Sequence, residues 1–244
     1  MGKRPAVKAA LLVSGAAVIA VGSATLVPGC GARHATPPQS GLAGHFAQLA
    51  STGQHDATLA VVTAAATLTV TAAPMPGRLM QVSTPGSSGV RPRLVASAGR
   101  VQLSLLGIAQ HGPSAVSIHL STAVSWQLQF SGGTNETYLN LSNGQVAGID
   151  FSAGSSLIQM TLPRPVGTAT LTLAGGASQV DLTTPPGVGA QIRLGAGASA
   201  ATLAGQTHTG LAKGTVLSSP GWAQAENRYD IDAPAGIDDI SVTG

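Results

Sequence analysis

Apolar and polar residues alternate in short runs along most of the chain, and the runs return at a fixed interval. Five glycines mark the interval: Gly112, Gly133, Gly154, Gly176 and Gly197, spaced by 21, 21, 22 and 21 residues. Seven, five and three residues before the last four stand Trp126/Leu128/Phe130, Ala147/Ile149/Phe151, Ala169/Leu171/Leu173 and Ala190/Ile192/Leu194. Four, six and eight residues after the first four stand Val116/Ile118/Leu120, Thr137/Leu139/Leu141, Ile158/Met160/Leu162 and Val180/Leu182/Thr184, and Ala201 and Leu203 continue the series. A period of two sends alternate side chains to opposite faces, so these are half-buried β-strands. Each unit predicts a strand, a tight glycine turn, a second strand and a loop of about six residues. Several loops hold turn formers: Asn143-Gly144, Pro163 and Pro165, and Pro185-Pro186-Gly187.

A further copy centres on Gly236, 39 residues beyond Gly197, with Tyr229/Ile231/Ala233 before it and Ile240/Val242 after it. The stretch 206–228 between them is expected to form one degenerate coil or a protruding loop that holds Trp222. The unit before Gly112 keeps the register poorly, because Gly107 falls at an inward position. Upstream, residues 66–70, 79–82 and 101–105 predict further strands. One such unit cannot bury its apolar face alone, so units must stack. The chain is therefore expected to be all-β. The simplest architecture is a β-solenoid, a single-stranded β-helix-like stack whose equivalent strands pair in parallel about 4.8 Å apart. The alternative is a β-sandwich of hairpins, which would not require the fixed period.

Composition fits that picture. Charged residues make up 9% and aromatic residues 3% of the chain, against roughly 25% charged in ordinary domains. A large aromatic core is excluded, whereas many short strands of small and β-branched residues are not. The basic pI of about 9.5 does not point to nucleic acid. Lys3, Arg4 and Lys8 lie in the N-terminal segment, and beyond them nine basic residues face nine acidic ones. A basic patch that survives into the folded domain is what nucleic-acid binding requires.

Residues 1–29 read as an export signal: three basic residues, the apolar run 9–21, then small residues. The one cysteine, Cys30, follows in Leu26-Val27-Pro28-Gly29-Cys30-Gly31. This resembles a bacterial lipoprotein lipobox, with Val27 and Gly29 fitting and Pro28 departing from the pattern. Lipidation of Cys30 is expected; the alternative is an uncleaved anchor, since residues 9–27 are long enough to approach a bilayer's span. Either places the domain at the outer face of a cell membrane. Residues 30–56 read as a flexible linker with a short helix conceivable over 41–50, and residues 57–244 as the repeat domain. His34, His45 and His55 lack metal-ligand spacing.

Four phrases add a resemblance: Phe130-Ser131-Gly132-Gly133-Thr134, Leu173-Ala174-Gly175-Gly176-Ala177-Ser178, Pro185-Pro186-Gly187-Val188 and Tyr229-Asp230-Ile231-Asp232-Ala233-Pro234-Ala235-Gly236-Ile237. They resemble toastrack-type "putative adhesin" repeats, whose relatives form C-terminal domains of cell-wall-stress response membrane proteins in Gram-positive bacteria. The resemblance covers about residues 57–244. It implies a β-helix-like domain outside the cell, used for sensing or interaction, and it brings no catalytic residues. The Ala- and Gly-rich usage is similar to that of high-GC actinobacteria.

Enzyme motifs (G-x-S-x-G, S-x-x-K, H-E-x-x-H, a Walker loop, G-x-G-x-x-G) do not occur in the sequence. No enzyme activity and no cofactor are expected. A carbohydrate-active β-helix enzyme is the alternative from another class, but it would need two facing carboxylates. Asp150 and Asp181 point outward on opposite strands of different coils. Asp230, Asp232, Asp238 and Asp239 could bridge a hard cation; charge that deters edge-to-edge pairing of a terminal coil is the favoured reading. His119, Asn140, Thr161, Thr183 and Thr243 share one outward register position, a polar ladder that could lie against glycan or ice, but its interruption by Ala204 argues against a specific flat-face function. Trp126, Phe130, Phe151 and Tyr229 fall inward, as core. Tyr138 and Trp222 are the aromatic contact candidates, with packing against the side of the stack as the favoured role for Trp222. The expected protein is a non-catalytic, surface-anchored envelope module that binds or senses a membrane protein or cell-wall glycan. The alternative is a purely structural or adhesive surface module.

Overall fold

A computed structural model describes residues 44–244. Cys30 and the expected export signal lie outside the described residues. The early strands are β1 (Phe46–Ala50), β2 (Asp56–Val61), β3 (Ala65–Ala73), β4 (Arg78–Ser83), β5 (Val90–Ser97), β6 (Arg100–Gly107) and β7 (Ala115–Ser121). The regular middle forms β8 (Ser125–Phe130), β9 (Thr134–Asn140), β10 (Gln145–Phe151), β11 (Ser155–Thr161), β12 (Thr168–Leu173) and β13 (Ala177–Thr183). Then follow β14 (Gly189–Leu194), β15 (Ala198–Leu203), β16 (Gln206–Leu211), β17 (Thr215–Ser218), β18 (Arg228–Ala233) and β19 (Ile237–Thr243).

The two strands of one unit do not pair with each other. β8, β10, β12 and β14 belong to a nine-stranded sheet, here sheet B, and β9, β11, β13 and β15 to a ten-stranded sheet A. The glycine turn is the corner between the sheets. Within each sheet, neighbouring coils pair in parallel and in register. Ile149 lies between Leu128 and Leu171 in sheet B, and Met160 between Leu139 and Leu182 in sheet A. The fold is thus the all-β, solenoid-like stack that the repeat predicts, and not a sandwich of hairpins.

In-register pairing puts identical repeat positions on top of one another, and these columns are the core. Leu59, Leu128, Ile149, Leu171, Ile231 and Ile192 form one buried column of sheet B. Val70, Leu139, Met160, Leu182 and Val242 face them from sheet A. Phe130 and Phe151, at the same position of successive coils, stack with ring centroids 4.6 Å apart. At the corners the backbones approach closely: a methyl on Gly132 would run into the Thr63 carbonyl, and one on Gly175 into the Ala153 carbonyl.

The order of coils in the stack differs from their order in the chain. β18 lies between β12 and β14, with Ile231 beside both Leu171 and Ile192. β19 likewise lies between β13 and β15. The copy centred on Gly236 is therefore inserted between those centred on Gly176 and Gly197. At the other end, β2 is inserted between β6 and β8, and β3 between β7 and β9. A plain solenoid would place each copy after its predecessor. Here each end of the chain supplies a coil that sits one step inside the stack.

Beyond the parallel coils the pairing turns antiparallel. β5 closes on β6, β4 on β7 and β1 on β4 at one end; β16 closes on β15 and β17 on β14 at the other. Residues 206–218 are thus edge strands, neither a parallel coil nor a free loop. The two hairpins use matching two-residue turns, Ala98-Gly99 (φ 46° and 77°) and Ala204-Gly205 (φ 52° and 75°). Both central residues at positive φ is the geometry that suits the twist of a tight hairpin.

Four local expectations change. The helix expected over 41–50 is, in its described part, strand β1, because Ala47 and Leu49 alternate inward against β4. Ala147 is exposed: Val146 pairs with Trp126 and Gly148 with Gln127, so Ala147 is the extra residue of a bulge. Gly112 is no corner; it lies in the loop 108–114, and β6 keeps Val101, Leu103 and Leu105 inward. The aspartates of the Gly236 copy belong to an inserted coil, so edge protection does not explain them.

Gly175→Ala is expected to lower unfolding stability by about 2 kcal/mol or more, through backbone overlap. Gly133→Ala, with its nearest new neighbour 3.4 Å away, should change stability by less than about 0.5 kcal/mol. Ala98→Asn should raise stability by about 0.5–1 kcal/mol, because Asn tolerates the left-handed conformation better than Ala. Chemical denaturation monitored by circular dichroism reads all three.

Candidate functional site

In-register stacking also aligns the outward positions, and on sheet A it builds a polar face. The expected ladder is continuous: His119, Thr71, Asn140, Thr161, Thr183 and Thr243 are successive register partners across six strands. Thr71 fills the step between His119 and Asn140 because β3 is inserted there. Two residues earlier on each strand runs a second ladder: Ser117, Thr69, Tyr138, Gln159, Asp181 and Ser241. Neighbouring rungs are one strand spacing, about 4.8 Å, apart.

Tyr138 stands in the middle of the second ladder, half-buried. Its hydroxyl donates to Glu136 Oε2 at 3.3 Å. Desolvation first, then the charge and hydrogen bond of Glu136, raise its pKa above the ordinary 10.0. It is therefore a neutral hydroxyl across the physiological range. Beside it, Gln159 Nε2 and Gln179 Nε2 both donate to Asp181 Oδ2, at 3.4 and 2.9 Å. A shallow trough of about 370 Å³ runs over these strands, lined by Tyr138, Asn140, Gln159, Thr161, Asp181 and Thr183. One aromatic ring, amides, hydroxyls and a carboxylate at fixed spacing can bind a ligand rich in hydroxyl or amide groups. Gln159 and Glu136 are members that the sequence does not single out, and Asp181 enters there only as an outward carboxylate. Their signal was present: Tyr138, Gln159 and Asp181 each stand five residues after a repeat glycine.

The structure separates Trp222 from this face. From β17 the chain crosses through one 3₁₀ turn, Trp222–Gln224, and returns as β18. Trp222 Nε1 donates to the Tyr229 carbonyl at 3.0 Å. The Arg228 guanidinium lies 4.6 Å over the indole ring, with Nη1 donating to the Ala223 carbonyl and Nε to Thr168 Oγ1, both at 2.9 Å. Tyr229, buried below, donates its hydroxyl to the Pro163 carbonyl at 2.7 Å, and burial pushes its pKa far above the usual tyrosine value. Trp222 is thus a half-buried brace over the slot that β18 enters.

The four aspartates are not gathered. Asp230 and Asp232 lie on sheet B, Asp238 and Asp239 on sheet A. Asp230 pairs with Arg193 at 2.5 Å, the one ion pair among the described residues. No group of three His, Cys, Asp or Glu side chains among the described residues is placed to hold a metal ion, and no described helix is long and apolar enough to cross a membrane.

No family model matches the chain, and no curated protein matches it. Among solved structures it is similar to a "putative cell adhesion protein" from Clostridium sporogenes, with 14% identity and a TM-score of 0.58 over 81% of this chain and 97% of the other. A "putative adhesin" from Bacteroides fragilis aligns over 82% of this chain and 98% of its own at 7% identity, but its TM-score of 0.24 is too low to bear on the fold. The first likeness is one of fold.

Trp222→Ala is expected to destabilise the protein by about 2 kcal/mol, through lost packing and the lost bond to Tyr229. Tyr138→Ala should stay within about 0.5 kcal/mol, since it removes no core contact. Thermal unfolding of the two variants side by side makes the distinction.

Proposed function

We propose that the protein is a non-catalytic module, anchored at the outer face of a bacterial cell membrane, that binds an extracellular partner across the outer face of sheet A. The observation that carries this reading is the double polar ladder centred on Tyr138, which the stack holds rigidly in register. A rigid sheet loses little conformational entropy on binding, which favours a surface of weak, repeated contacts. The fold shared with a protein described as a "putative cell adhesion protein" supports an adhesive role. The export-signal pattern of residues 1–29 and the lipobox-like setting of Cys30 support the location. A cell-wall glycan suits the face best, because sugar hydroxyls pair with amides and carboxylates while a sugar's apolar side stacks on an aromatic ring.

The test is equilibrium binding of the protein to purified cell-wall glycan. Saturable binding is expected, weakened at least about tenfold, or 1.4 kcal/mol, by Tyr138→Ala and by Asp181→Ala with folding unchanged. Binding that is absent, or indifferent to both substitutions, contradicts the reading. Capture of a membrane protein through the same face would redirect it to an accessory role.

A further inference from the structure

The charges of the described chain are polarised along the stack. Residues 44–114 hold four arginines and one carboxylate, Asp56, whereas residues 115–244 hold eight carboxylates and four basic side chains. Three of the four arginines share one edge. Arg91 and Arg93 point outward from β5, alternating with buried Pro92 and Leu94, and Arg100 points outward from β6 across the Ala98-Gly99 turn. All three are exposed, and no guanidinium of the three has an ion pair or hydrogen bond with a described residue. Val95, 48% exposed, continues the same outward row. Beside it opens an apolar cleft of about 320 Å³ lined by Leu49, Leu79, Ala96, Ala98 and Val101. β1, the first described strand, is the edge of sheet A at this same end.

We propose that this end of the stack docks on an anionic phospholipid surface, with Arg91, Arg93 and Arg100 on lipid phosphates and Val95 in the headgroup layer. The inference rests on the membrane-anchored reading above. Guanidinium groups match phosphate oxygens two at a time, and cations near an anionic bilayer are attracted within a Debye length of it. Charge and a proline on an edge strand also deter strand addition. That need does not account for the arginines, because edge strands β16 and β17 at the opposite end carry no arginine or lysine. Fifteen residues lie between Cys30 and Phe46, a reach of at most about 55 Å. An anchor there keeps the arginine row at high local concentration over the surface. A lipid chain and a basic patch together make the two signals that stable attachment needs.

The test is hydrogen exchange of the full-length protein on vesicles of phosphatidylglycerol and of phosphatidylcholine. Amides of residues 90–107 should exchange at least about tenfold more slowly on the anionic lipid, while residues 206–211 exchange alike on both. High salt, or the combined change Arg91→Ser, Arg93→Ser and Arg100→Ser, should erase the difference and leave exchange in residues 145–183 unaltered, which shows the fold intact. Capture by both lipids with equal exchange overturns the docking and leaves the anchoring standing. No capture by either overturns both. Protection by soluble polyglycerol phosphate and not by vesicles also overturns the proposal, assigning the row to a wall polymer.

Discussion

No coil of this protein can bury its own apolar face, and every other feature follows from how that need is met. A strand of six or seven residues with alternate residues inward presents half a core, and the other half must come from the opposite sheet and from the coils above and below. In-register parallel pairing meets it by stacking like on like: Leu128, Ile149, Leu171, Ile231 and Ile192 form one continuous buried column. The corners must then be small, because the register that stacks the columns also presses one turn's backbone against the next. Gly132 and Gly175 lie where no side chain fits.

The same register orders the outside. Residues that answer to no packing demand are still aligned, so polar side chains at one repeat position become a ladder. Tyr138, Gln159 and Asp181 come together across three strands because each sits five residues beyond its repeat glycine. The ends of a stack are its weak points, since a terminal coil lacks a neighbour. Here each end of the chain contributes a coil to the interior of the stack, and short antiparallel strands finish the edges. Trp222 and Arg228 hold the crossing that brings β18 back to its slot.

Much of this was legible in the sequence, for a physical reason. Phase along a strand is a property of the residues themselves, so inward and outward positions could be read directly, and nearly all the named core positions are buried. Ala147 escaped because a bulge shifts phase by one residue without any change in composition. Neighbour order was not legible. Parallel strands with the same apolar spacing are interchangeable partners, and nothing in Tyr229, Ile231 and Ala233 says whether they lie beside Leu171 or beyond Ile192. The strand at Phe46–Ala50 cannot be told from a helix by pattern, because five residues are too few to separate a period of two from one of 3.6. Of the site, Tyr138 and the first ladder were legible from phase; the arginine row depended on knowing which strand forms the edge.

The inserted order of coils is the claim on which these arguments converge, and engineered disulfides test it directly. Thr172 and Asp232 are register partners on the outer face of sheet B, as are Asp232 and Arg193, while Thr172 and Arg193 are two strands apart. With Cys30 changed to Ser, the pair Thr172→Cys and Asp232→Cys should oxidise to an intramolecular disulfide, since adjacent strands bring Cα atoms within bridging distance. The pair Thr172→Cys and Arg193→Cys should not. A bridge in the second pair and none in the first would mean that the coils follow chain order, and would contradict the account.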